Sequence, residues 1–408
     1  MKSIRYRWIW AGCLLWLPLL AVLFVACSSD DEEPLPRLNI YIYAPERPTV
    51  TRSGSVEALP AEAMVHNLQI WVFRSSDPTK KVASLTLTKP EELASLNGEK
   101  KSASYSIELE DRNFARYPEP VDIYVLANQL GNNGIEYKDP INNSKKLDDA
   151  VLSGGNYYSF MVSNTYQAVT ENSTIPNTSD NIIQVAGIPM SGVARGRSVV
   201  DQNNVLHISD ANVKLVRDIS KIRFVFSSLK GSTDEDPSTY RLYIESVTLN
   251  NNMFYDQEHF FLNDEHPNYW VSGYPFAERV QLYGGNLNSA VVQNEDPTLY
   301  AYSSSMTEAE YEDAVDGWVG EKKLTQVPVV YLPESDKKLS GTIKFRVGNN
   351  TSETKTAKFS MVGSDFRRNQ TWIVYAYYIG SSKLEVNTVQ VTNWDPQAPQ
   401  DPHEIHNW

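Results

Sequence analysis

The feature that most constrains this chain is a series of short stretches in which apolar and polar residues alternate. Leu38-Asn39-Ile40-Tyr41-Ile42-Tyr43 is the first of them. Successive side chains of a strand point to opposite faces, so a period of two marks a strand with one face in a core and the other in water. Further candidate strands occupy residues 68–73, 83–88, 103–109 and 121–127, separated by clusters of Pro, Gly, Asn and Asp. Residues 129–181 are poor in periodicity and rich in Asn, Ser and Gly, and weaker candidates follow at 182–185 and 199–208. A second strand-rich region starts at Val213, with candidates at 213–215, 222–226, 243–249, 327–332, 341–347, 356–361, 372–379 and 386–391. Strands at such spacing predict a sandwich or a barrel. Only residues 147–152 and 305–315 read as short helices. The 23 Tyr, 13 Phe and 9 Trp suit pleated, half-buried surfaces.

Stability has to come from ordinary core burial. The two cysteines, Cys13 and Cys27, both fall in the first 27 residues, so the body of the chain has neither a disulfide scaffold, a thiolate metal site nor a cysteine nucleophile. The formal net charge is −13. Setting aside Lys2, Arg5 and Arg7 leaves 34 of the 37 basic residues against 50 acidic ones, or −16. A phosphate backbone is repelled by such a balance, which speaks against nucleic-acid binding.

Lys2, Arg5 and Arg7 form a basic segment before an apolar run from Trp8 to Ala26. The run is longer than an ordinary signal-peptide core, so a membrane-spanning signal anchor is one reading of it. Its end supports another: Leu23-Phe24-Val25-Ala26-Cys27 resembles a bacterial lipobox, a small residue followed by the Cys that receives diacylglycerol. Diacylglycerol brings two acyl chains and acylation of the new amino group a third, and several chains give firm membrane attachment where one gives little. Residues 1–26 are then a signal peptide. Residues 27–37 are a tether, in which Ser28-Ser29-Asp30-Asp31-Glu32-Glu33 resembles a surface-export signal of Bacteroidota lipoproteins, or serves only as a solvated spacer.

Chemistry-bearing patterns are scarce. His403 and His406 stand three apart in a tail that lacks further ligands, and His259 and His266 flank Phe260, Phe261, Asp264 and Glu265 without a metal-site pattern. The acidic runs at Asp148-Asp149 and Asp234-Glu235-Asp236 read as solvated surface, since adjacency alone does not make an acid–base pair. No nucleophile elbow, phosphate-binding loop or dinucleotide fingerprint occurs. The expectation is no catalytic residue, no metal and no cofactor. Tyr157-Tyr158, Tyr269-Trp270 and Tyr377-Tyr378 could stack on glycans, or could be ordinary strand residues.

Several segments taken in order resemble the fimbrillin family, the pilus subunits of Bacteroidota. Val121-Asp-Ile-Tyr-Val-Leu-Ala-Asn128 is similar to that family's strand ending in Ala-Asn, and Ile188-Pro-Met-Ser-Gly192 to its Pro-Met-Ser-Gly turn. Val213 to Phe224, with Arg217-Asp-Ile-Ser-Lys221, resembles its strand with Arg and then a small residue before Lys, although Ser220 stands where Ala is commoner. Arg368-Asn369 ahead of residues 372–380, and Val389-Gln-Val-Thr-Asn-Trp394, complete the series.

The resemblance implies an all-β chain of two transthyretin-like Greek-key β-sandwich domains, with no catalysis. The domains expected are residues 38–205 and 206–395, followed by a tail at 396–408. It implies a fimbrial subunit at the outer membrane and cell surface that supports adhesion. Its partners would be other fimbrial subunits, the outer membrane through lipid on Cys27, an Arg-specific surface protease, and host receptors or glycans. In this scheme the protease cuts at Arg52-Ser53 (Arg47 precedes Pro48) and removes the strand bearing Leu38, Ile40 and Ile42. A neighbour's strand, here the segment bearing Val389, Val391 and Trp394, then fills the groove. Two alternatives stay open: an anchor subunit that keeps its lipid, and a glycan-binding surface lipoprotein.

Overall fold

A computed structural model of the chain describes residues 35–45, 64–76, 81–98, 101–109, 117–128, 136–138, 165–167, 187–203, 206–231, 240–254, 258–259, 261, 281–284, 290–332, 334–348, 353–361, 366–380 and 383–391. The alternating runs become strands. In chain order these are β1 (Arg37–Tyr43), β2 (Leu68–Arg74), β3 (Lys81–Leu87), helix α1 (Pro90–Asn97), β4 (Ser102–Glu108) and β5 (Val121–Ala127). Short β6 (Glu136–Lys138) and β7 (Thr165–Gln167) come next, then β8 (Met190–Gly196), β9 (Ser198–Val200), β10 (Leu206–Ile208), β11 (Ala211–Lys214) and β12 (Val216–Arg217). The remainder holds β13 (Ser220–Leu229), β14 (Leu242–Leu249), β15 (Glu258–His259), β16 (Gln281–Gly284), β17 (Gln293–Asn294), helix α2 (Glu308–Gly320) and β18 (Thr325–Gln326). It ends with β19 (Val330–Leu332), β20 (Ser340–Val347), β21 (Lys355–Ser360), β22 (Thr371–Tyr378) and β23 (Glu385–Val391). The chain is all-β, and its larger sheets pack face to face.

The first pair is a five-stranded sheet, β12-β8-β5-β2-β3, and a three-stranded sheet, β11-β1-β4. Between them lies one apolar core. It takes Leu68, Ile70 and Val72 from β2, Ile123 and Val125 from β5, and Leu38, Ile40 and Ile42 from β1. The second pair is built on β13-β22-β23 and on β16-β14-β20-β21. Phe224, Phe226, Ile244, Ile343, Phe345 and Trp372 meet in its core. β13 and β22 run parallel, and helix α2 covers their other face, where Tyr311 and Val315 pack on Val225, Ile373 and Tyr375.

The sequence readings of 199–208 and of Pro-Met-Ser-Gly need correction. The first is a hairpin of two short strands, β9 and β10. The second opens strand β8 rather than making a turn: a Cβ on Gly192 would stand 2.5 Å from the Lys214 carbonyl oxygen, so the glycine serves a close strand crossing. Ala211, Val213 and Leu215 belong to the first core and Ile222 to the second. Residues 211–217 therefore pack with the elements before them, not with the region after the division read near residue 205. Helix α1 was not expected; Pro90 at its first position and Glu91 and Glu92 in its first turn suit a helix start. Helix α2 begins with a capping box, the Glu310 amide donating to Thr307 Oγ1 at 3.2 Å and the Thr307 amide donating to Glu310 Oε2 at 2.8 Å. No helix among the described residues is long and apolar enough to cross a membrane.

Candidate functional site: the seat of the first strand

Strand β1 is the middle strand of its sheet. It pairs antiparallel with β4 over its whole length, Arg37 opposite Glu108 through Tyr43 opposite Ser102. On its other side it runs parallel to β11, with Ile40 opposite Ala211 and Ile42 opposite Val213. Its inward row, Leu38, Ile40 and Ile42, is 1 %, 0 % and 0 % exposed, whereas Tyr41 and Tyr43 on the outer face are 37 % and 40 % exposed. The alternation read from the sequence thus sets which side chains fill the core. Burying three such aliphatic side chains contributes about 1.5–3 kcal/mol each. Polar contacts on the outside are exposed: Arg37 Nη2 to Glu108 Oε1 at 2.6 Å, and the Tyr43 hydroxyl donating to Asn212 Oδ1 at 3.3 Å. Pairs of that kind add little.

The chain leaves β1 at Ala44, whose amide donates to the Lys101 carbonyl at 2.8 Å, and is described again from Met64. Two asparagines hold it there. Asn97, the last residue of α1, accepts from the Val65 amide and donates to the Val65 carbonyl, both at 2.8 Å. Asn128, the residue after β5, accepts from the His66 amide at 2.8 Å and donates through Nδ2 to the carbonyls of Met64 (2.8 Å) and Ile188 (2.6 Å). Asn128 has φ +62°, a left-handed conformation that Asn tolerates better than most residues. Gly187, at φ +75°, has no room for a Cβ, which would lie 2.5 Å from Asn128 Nδ2 and 2.8 Å from His66 Cδ2. Burial lowers the pKa of His66.

β23 is paired antiparallel with β22, Val389 opposite Ile373 and Val391 opposite Thr371. Val389 and Val391 are 6 % and 2 % exposed and belong to the cluster under α2. Both residues therefore fill a core of this chain itself. Among the described residues β23 stands at the edge of its sheet, with one ladder neighbour.

The motif residues 190–192, 217–221 and 367–370 converge where the first five-stranded sheet meets β13 and β22. Asp218 is fully buried. Its Oδ1 accepts from Ser191 Oγ at 2.5 Å and from Arg368 Nη1 at 2.8 Å. Arg368 also donates through Nε to Glu334 Oε2 and through its amide to Glu334 Oε1, each at 2.7 Å. Arg217 Nη1 reaches Asn369 Oδ1 at 3.3 Å, and Ser220 Oγ donates to the Arg367 carbonyl. Burial pushes Asp218 up to about 8, against the pull of Arg368 and Ser191. Glu334 is likewise raised by burial. Buried charges survive only when paired and hydrogen-bonded, so this cluster fixes how the two regions meet. Asn128, Asn369 and Ser220 were quoted as motif letters; their contacts lie 60 or more residues away in the chain and leave no local signal.

Cys27, Arg52, Ser53 and Trp394 lie outside the described residues, as do His266, His403, His406, Tyr157, Tyr158, Tyr269, Trp270 and residues 147–152 and 182–185. Tyr377 stacks on Tyr375 with ring centroids 5.2 Å apart, and Tyr378 is buried in the second core. Among the described residues no three His, Cys, Asp or Glu side chains group as a metal site.

No protein-family model matches the chain, and no curated protein does. Solved structures do. A candidate cell adhesion protein from Parabacteroides distasonis is 16 % identical, with 90 % of this chain and 99 % of that one covered and a TM-score of 0.49. The tip fimbrial protein Mfa3 from Porphyromonas gingivalis, with a C-terminal truncation, is 14 % identical, covering 87 % and 99 %, with a TM-score of 0.45. A fimbrial assembly protein from Parabacteroides distasonis is 11 % identical, covering 87 % and 98 %, with a TM-score of 0.42. These three solved structures bear the names of adhesion and fimbrial proteins, and their likeness to this chain is at low identity with TM-scores under 0.5.

Proposed function

We propose that this chain is a structural fimbrial subunit that reaches the outer membrane as a lipoprotein on Cys27 and joins its neighbours by strand exchange. One observation carries the reading: β1 is a short strand at the N-terminal end of the described chain, yet it sits in the middle of a sheet with its whole inward row in the core. A cut at Arg52-Ser53 by an Arg-specific protease leaves β1 held by burial, ladder bonds and its exposed polar contacts, without its chain connection to β2. Its loss bares the facing edges of β4 and β11 and a row of apolar pockets. Such a groove is refilled by a strand that supplies backbone bonds and alternate side chains. Head-to-tail exchange of this kind yields a filament rather than a closed ring. Adhesion to host receptors or glycans would follow from display on that filament.

The donor in this scheme is β23 with the residues that follow, including Trp394. Its edge position means that among the described residues β23 can leave by breaking one ladder, that with β22, and by baring Val389 and Val391.

The test is the N-terminus and intact mass of the protein recovered from the cell surface. A start at Ser53 without lipid is expected. An acylated Cys27 at the N-terminus of the assembled form would overturn the exchange reading and leave an anchor subunit or a plain surface lipoprotein. Removing residues 386–408 should abolish polymer while export persists.

A further inference from the structure

The connection between β1 and β2 is held by different means at its two ends. On the β1 side the bonds are main-chain ladder: the Ala44 amide donates to the Lys101 carbonyl at 2.8 Å, and the Leu215 amide to the Tyr43 carbonyl at 2.9 Å. These bonds depart with β1. On the β2 side the backbone is gripped by the side chains of Asn97 and Asn128. We propose that Asn97 and Asn128 form a retaining clamp, two positioning residues that keep residues 64–67 seated when β1 leaves, so that release of one strand does not propagate into β2. The inference rests on the strand-release reading above.

The geometry suits that task. Asn97 meets both polar groups of Val65, as a neighbouring strand would, and it belongs to α1 rather than to β1 or β4. Asn128 ties residues 64–67 to the start of β8: its amide donates to the Asn67 carbonyl at 3.0 Å, its Oδ1 takes the His66 amide, and its Nδ2 bridges Met64 and Ile188. The bonds named here go to segments on the β2, β5 and β8 side of the core, which stays when β1 goes. Two consecutive-in-space residues in left-handed backbone, Asn128 and Gly187, are committed to this one place. A side-chain amide satisfies a buried donor and acceptor at once, where leaving either unmet is costly.

The experiment uses the full chain, cut at Arg52 by an Arg-specific protease, in the wild type and in Asn97→Ala, Asn128→Gly and the double variant; Gly keeps the φ of position 128 and removes only its side chain. Hydrogen exchange at the Val65 and His66 amides is read beside Ile373 in β22. In the cut variants Val65 and His66 should exchange about tenfold faster, the loss of one bond each, while Ile373 is unchanged. An aminopeptidase used with an X-Pro aminopeptidase, since Pro60 follows the cut, should trim the cut wild type only as far as Met64, and the cut double variant into β2. Equal exchange at residues 65 and 66 in wild type and variants, or the same trimming end point, overturns the clamp. If the double variant loses protection at Ile373 as well, Asn97→Ala alone decides through Val65. Retention of β1 by the cut wild type would instead count against strand release and leave the exchange result at Val65 to judge the clamp by itself.

Discussion

The two sandwiches differ in where each keeps its terminal strand. In the first, β1 lies between β4 and β11, and its three inward side chains are sealed in the core. In the second, β23 stands at the edge of its sheet with β22 as its one ladder neighbour among the described residues. Taking β1 away splits a sheet and bares two edges. Taking β23 away shortens a sheet by one strand. The two ends of the described chain are therefore not interchangeable: β1 seals the middle of its sheet, whereas β23 closes one side of its own.

The comparison presumes that the two regions respond separately, and the buried cluster between them is the place to break it. Arg368→Met leaves Asp218 and Glu334 as two buried carboxyl groups without their shared cation. It breaks the buried Arg368–Glu334 pair, a loss of about 3–5 kcal/mol, and removes the hydrogen bond that Arg368 gives to Asp218. Chemical denaturation of this variant should show that loss, and a single wild-type transition should separate into two, with near-ultraviolet signals from Trp71 and Trp372 reporting one region each. A loss under 1 kcal/mol, taken as about the value of an exposed pair, would mean that the cluster does not join the regions.

A pair of truncations sharpens the contrast. Ile40→Ala empties part of a fully buried site in mid-sheet and should cost about 2–5 kcal/mol. Val389→Ala removes two carbons near an edge and should cost about 2 kcal/mol or less, on roughly 0.8 kcal/mol per buried carbon. The first should also speed dissociation of β1 after cleavage; the second should not. Equal losses in denaturant midpoint would erase the distinction between the two strands.

How far this was legible in the sequence follows from the range of each signal. The period-two run of β1 is local, so that strand and its inward face read directly; β2 and β5 were read as strands, but both are buried on their two faces and show no single inward row. A short helix was read at residues 305–315, and helix α2 runs from Glu308 on past residue 315 to Gly320. There Trp318 packs against Tyr300 and Tyr311, ring contacts that no local pattern announces. Strand β8 was missed because Pro189 and Gly192 are turn residues by propensity, while Gly192 is needed for the close approach of β11. The ion cluster joins residues 191, 218, 334 and 368; no window along the chain contains it. Mapping the motif letters of the fimbrillin resemblance onto the fold shows many of them to be joints: Asn128 and Asn369 take left-handed backbone, and Ser220 and Arg368 bind across more than 30 residues.

The smallest expected effect concerns the joint's proton. Asp218 is raised by burial from 3.8 to about 8, so the folded chain holds that proton over a range in which the unfolded chain has lost it. The stability tied to it is complete below the unfolded value and is lost as pH rises through the folded one. Between about pH 7 and about pH 8 the loss should be about 1 kcal/mol, set by the roughly 1.4 kcal/mol per pH unit that one proton carries. His66 acts with the opposite sign: its pKa is lowered from 6.5, so it costs stability only as pH falls below that value. Asp218→Asn keeps an oxygen for Ser191 and Arg368 but cannot ionise, and it should remove the decline that runs from 3.8 to about 8, most plainly between about pH 7 and about pH 8, where His66 adds nothing. A wild-type profile level between about pH 7 and about pH 8 would mean that Arg368 holds Asp218 ionised at neutral pH. The joint would then be a permanent ion pair, as fixed in its charge as the β1 seat is in its apolar row.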